Sequence, residues 1–125
     1  MGAGSVIASA RSGGLAIFRS IDLDESEEQV KATEGMVFSI YASNTNASAR
    51  WLKLYDATAA AVVVGTTAPV ATFFLPPSGA SPLKFDSTVG LHFTTAITAA
   101  ATTGVADSDT GAPGANEVVV LIGYA

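Results

Sequence analysis

Cysteine is absent from this 125-residue chain, which excludes disulfides and thiolate metal ligands outright. Histidine occurs once, as His92, and tryptophan once, as Trp51. A Ser–His–Asp arrangement needs three groups to converge, and His92 lies between Leu91 and Phe93 in a stretch that alternates like a strand. Charge is scarce as well: Asp, Glu, Lys and Arg make up 14% of the residues, against roughly 25% in soluble domains. Six basic residues face eleven acidic ones, for a net charge of −5. A chain so short of cations cannot build the basic face that nucleic acid needs, and an anionic membrane surface is disfavoured for the same reason. The longest apolar run, residues 59–64, is far short of the ~20 residues of a membrane-spanning helix. Residues 1–14 lack the basic start and apolar core of a secretory signal. The glycine-rich segments lack phosphate-loop spacing.

What remains is a small, apolar, β-prone chain. Its length fits one domain, large enough to bury about two thirds of its unfolded surface. Hydrophobic residues are 49% of the total, so Ser, Thr, Ala and Gly must form much of the exterior. A surface this poor in charge suits a protein partly covered by neighbours.

Alternation places a first strand at residues 15–21, after a Gly/Ala/Ser-rich extended arm at residues 1–14. Residues 22–28, DLDESEE, form an acidic turn, and residues 30–33 a short strand. Residues 35–43 alternate most clearly, with Met36, Phe38, Ile40 and Ala42 on one face and Val37, Ser39 and Tyr41 on the other. The polar link NTNAS has hairpin length, so residues 35–43 and 49–57 are expected to pair as a central antiparallel hairpin. In ARWLKLYDA (49–57), Leu52 and Leu54 share a core face, while Trp51, Lys53 and Tyr55 share a face suited to contact.

A short strand at 61–64, or a loop along an edge, is followed by strands at 70–75, 82–86, 90–97 and 117–124, with a threonine-rich loop at 98–114. The final strand, EVVVLIGY, is apolar on both faces and should lie mid-sheet with both sides covered. About eight strands with turn signals every 8–12 residues indicate an all-β, antiparallel β-sandwich of jelly-roll type spanning residues 15–125.

No catalytic set emerges, and no cofactor is expected. The acidic turn and the Asp107/Asp109 pair lack the ligand spacing of a calcium loop; Asx-type turns account for them, and no metal is expected. Trp51, Lys53, Tyr55, Tyr41 and His92 are the interface candidates, because aromatics dominate binding hot spots.

The order of signals N-x-N, RWLKLYDA, TAPV, FFLPPSG, F-x-x-x-x-GLHFTTAITAAATTGVADSD and NEVVVLIGYA resembles small virion structural proteins of tailed bacteriophages, across residues 21–124. The resemblance is most specific at residues 50–56 and 90–124. It implies a non-enzymatic β-sandwich subunit, made in the host cytoplasm and carried on the outer capsid surface. A capsid decoration (cement) protein would bind the major capsid protein and itself, as a homo-oligomer with a trimer as the expected form. The alternative implied by the same resemblance is a tail, neck or baseplate component, or a receptor-binding module.

Overall fold

The computed structural model describes residues 14–125, so the extended arm expected at residues 1–14 lies, except for Gly14, outside the described residues. Eight strands form the described fold: β1 (Ala16–Ser20), β2 (Glu28–Lys31), β3 (Gly35–Asn44), β4 (Arg50–Tyr55), β5 (Ala71–Leu75), β6 (Leu83–Phe93), β7 (Ile97–Thr102) and β8 (Val118–Tyr124). They make two four-stranded antiparallel sheets, ordered β1-β8-β3-β6 and β2-β7-β4-β5. The chain is an all-β sandwich. Its pairs nest: β1 with β8, β2 with β7, β3 with β6 and β4 with β5.

The core lies between the sheets. Val37, Ile40 and Ala42 from β3, Val118, Val120 and Ile122 from β8, and Phe93 from β6 meet Leu52 and Leu54 from β4, Ile97, Ala99 and Ala101 from β7, and Leu75 from β5. Fully burying each Leu, Ile, Val or Phe contributes about 1.5–3 kcal/mol, so this layer dominates the fold's stability.

Several expectations need correction. The strands β3 and β4 do not form a hairpin; they lie in opposite sheets. The five-residue link turns the chain across the sandwich because its asparagines hold it in successive Asx turns. Asn44 Oδ1 accepts from Asn46 N at 2.9 Å and Asn46 Oδ1 from Ser48 N at 2.8 Å, while Asn44 Nδ2 donates to Ser48 O at 2.8 Å. Residues 61–64 are not a strand: a 3-10 turn at Ala59–Ala61 leads into irregular chain.

Residues 82–86 and 90–97 were expected as two strands, but most of that span is the single eleven-residue β6. It carries an irregularity opposite Phe38: Val37 pairs with Leu91 and Ser39 already with Asp86. Gly90 sits there at φ +84, and a side chain on it would stand 3.0 Å from Phe38 Cε1. The bulge also flips the alternation of β3. Val37 points inward before it, Ile40 and Ala42 after it, and Met36 and Phe38 leave the face they were expected to share with them.

Residues 98–114 are not all loop, since Ile97–Thr102 form β7, buried along its whole length. Its Ala and Thr side chains give little strand signal, yet they fit a strand pressed on both faces.

Candidate functional site

The five interface candidates do not converge. Trp51, Lys53 and Tyr55 project from the outer face of the second sheet, Tyr41 from the outer face of the first, and His92 from the far end of β6.

The outer face of the second sheet is covered by the chain itself, through residues 56–70 and 103–111. Tyr55 packs with Val62 and Ala100 in a small second core. Thr98 Oγ1 donates to Ala57 O at 2.6 Å, Thr102 Oγ1 to Gly104 O at 2.8 Å and Lys53 Nζ to Ala106 O at 2.6 Å. Lys53 and Tyr55 are both fully buried, so neither offers surface to a neighbour. Their amphipathic character, which suggested contact, serves internal loops instead. Burial pulls the Lys53 ammonium below the usual lysine range, against the opposing pull of Asp109 and Asp107. Burial likewise pushes the Tyr55 phenol up, with Asp107 and Glu27 adding to it. The Tyr55 hydroxyl has no hydrogen-bond partner among the described residues. Trp51 is half-buried at the edge of this face, its ring 5.1 Å from that of Phe74, which is itself 48% exposed.

The acidic segments do turn chemistry. Asp24 Oδ1 accepts from Ser26 N at 2.8 Å, Asp22 Oδ1 from Asn116 N at 2.8 Å and Asp109 Oδ1 from Gly111 N at 2.7 Å. Among the described residues no three His, Asp or Glu side chains group as metal ligands. His92 Nε2 lies 2.6 Å from Glu34 Oε2, both largely in solvent.

Two carboxylates that sequence reasoning passed over act as structural nodes. Asp56 binds the tight turn between β6 and β7, accepting from Thr94 N, Thr94 Oγ1, Thr95 N and Ala96 N at 2.8–3.3 Å. Glu117 accepts from Arg50 Nε at 3.0 Å and Asn46 Nδ2 at 2.9 Å. Burial would raise both carboxyls, but the hydrogen bonds outweigh it, those on Glu117 led by the Gly114 backbone N–H, and hold both below their ordinary values. Neither position carries a local motif; each bonds partners about 38 to 71 residues away.

The face left open is the outer side of the first sheet. One register row across all four strands reads Arg19, Leu121, Tyr41, Lys84; the adjacent row reads Ile17, Gly123, Ser39, Asp86. Between them runs a groove of about 300 Å³. Gly123 forms its floor, because a side chain there would collide with Ser39 Oγ. Ile17 is 69% exposed, Tyr41 48% and Leu121 41%. Lys84 Nζ stands 5.8 Å from the centre of the Tyr41 ring, within cation–π range. The apolar final strand was expected to be covered on both faces. It is central in its sheet, but only its inner face is covered.

No protein-family description, curated protein or solved structure matches this chain.

Proposed function

We propose that this chain is a virion structural protein, a capsid decoration (cement) protein that binds the outer surface of a phage's major capsid protein and stabilises the head. The observation that carries the reading is the nested order of eight antiparallel strands in two sheets. We read that order as a jelly roll, the plan of many viral capsid and lectin domains. The charge-poor exterior and the exposed Ile17, Tyr41 and Leu121 on the open face of the first sheet support a subunit that works by contact area. The order of motifs across residues 21–124, which we read as resembling small phage virion proteins, points the same way. In this role the protein has no reaction to perform. It spreads buried surface over its neighbours and opposes their separation under the pressure of packaged DNA.

The test uses phage particles carrying this chain and an antibody raised against it. Label over the whole head, together with saturable binding of the purified protein to undecorated capsids and a higher rupture temperature, is the expected outcome. Label confined to the tail would replace decoration by the tail, neck, baseplate or receptor-binding alternative. Particles without label would overturn both.

A further inference from the structure

The outer face of the first sheet has an unequal twin. On the second sheet the corresponding face is roofed by residues 56–70 and 103–111. On the first, nothing among the described residues lies over Ile17, Tyr41 and Leu121. The strand beneath is VVVLIGY, a run apolar on both sides, and such runs belong to strands covered on both faces. Such a strand calls for a cover on its outer face as well.

Charge narrows the choice. The protein carries −5 overall, yet this face presents two exposed cations, Arg19 and Lys84, and one carboxylate, Asp86. Among the described residues neither cation forms an ion pair. Residues 1–13 add one arginine and no carboxylate, so they bring no counter-charge to either cation. Carboxylates are concentrated in the turn after β1, where Asp22, Asp24, Glu25, Glu27 and Glu28 follow Ile21, an isoleucine 46% exposed. That turn is short of positive charge. Burial raises the Glu28 carboxyl, and Asp24 and Asp22 raise it further against the Ser20 hydroxyl.

We propose that the open face of the first sheet binds a second copy of this chain, whose acidic turn at residues 22–28 supplies the carboxylates that Arg19 and Lys84 lack. The apolar side chains Ile17, Leu121 and Tyr41 supply the buried centre and the charges the rim. Four strand axes span about 14 Å and the five residues of β1 about 17 Å. A face of that size alone falls short of the ~800 Å² that each partner of a stable complex buries. The turn must therefore be part of the contact, which makes its affinity dependent on salt. The contact deepens the homo-oligomer that the resemblance implies and does not depend on the virion.

Sedimentation of the purified protein from micromolar to millimolar concentration tests it. The wild type forms an oligomer that weakens as salt is raised, and its mass tells whether the contact closes reciprocally as a dimer or head to tail as a ring. Arg19→Glu/Lys84→Glu and Glu25→Lys/Glu27→Lys each weaken association about a hundredfold. Glu25 and Glu27 are chosen because Asp22 and Asp24 hold the turn together. An equimolar mixture of the two variants recovers a complex containing both, since each then meets its opposite charge. Thermal melts of the variants show that they fold. A wild type that stays monomeric, or variants that associate as it does, would overturn the proposal. Capsid binding is measured separately: a monomer that decorates heads leaves the proposed function standing without this contact.

Discussion

At Asp56 four hydrogen bonds converge on one carboxylate, three of them from consecutive backbone N–H groups. Replacement by Asn keeps the shape and loses the charge, and should cost about 1–2 kcal/mol in urea unfolding. The pH dependence has a definite sign. The folded carboxyl titrates below its unfolded value, so its contribution is complete above the unfolded value and disappears as pH falls through the folded one. The gap between wild type and Asp56→Asn should therefore be widest above about pH 5 and close in acid. Glu28 behaves in the opposite way, because its folded carboxyl is raised. Glu28→Gln should stabilise the fold slightly at neutral pH, with the gain vanishing in acid. Tyr55 offers a third case. Its hydroxyl is buried without a partner, so Tyr55→Phe should leave the unfolding free energy unchanged or raise it by about 1 kcal/mol. A clear loss of stability would mean that the hydroxyl has a bonded partner.

Elements show where sequence patterns run out. The strands β1, β3 and β4 were legible because apolar residues recur every second position, and β5 and β8 because β-branched, aromatic and other apolar residues run together in them. The bulge opposite Phe38 defeated that rule, since four residues of β6 pass where β3 has one and the inward set of β3 changes parity. Nothing short of the partner strand reveals this. The strand β7 escaped because ITAAAT lacks the bulky side chains that mark strands, and its small residues suit a layer roofed on one side and packed on the other. Lys53 was misplaced for a related reason: an amphipathic side chain on a strand implies an interface, and here the interface is with residues 103–111. Lys53→Met should free that loop while leaving the sandwich intact. Amide exchange across residues 103–111 should quicken by about tenfold, the loss expected for a hydrogen bond from a charged donor, with the core strands unchanged.

For the whole molecule, the all-β class and sandwich architecture were legible from length, alternation and turn spacing. The candidate surface was not. Ile17, Leu121, Arg19 and Lys84 lie up to 104 positions apart and form rows only once β1, β8, β3 and β6 are side by side. Tyr41 alone was picked in advance, as an aromatic in a regular strand. The two faces also predict unequal tolerance. Leu121→Ser should change the unfolding free energy by less than about 1 kcal/mol, because its side chain is half in water. Leu52→Ala, in the closed layer, should cost about 2–5 kcal/mol.

The nesting of β1 against β8 also dictates the timing of folding during synthesis. The first strand of the described chain can find its neighbour only when the last has been made, because β8 alone joins β1 to β3. Until residues 118–124 leave the ribosome, the first sheet lacks one of its two central strands and the core has one wall open. The second sheet can assemble earlier, its four strands being complete at Thr102. Folding of this chain thus ends with the insertion of a strand, a non-local and slow step, and a nascent chain waiting for it exposes an apolar layer that needs protection from its neighbours.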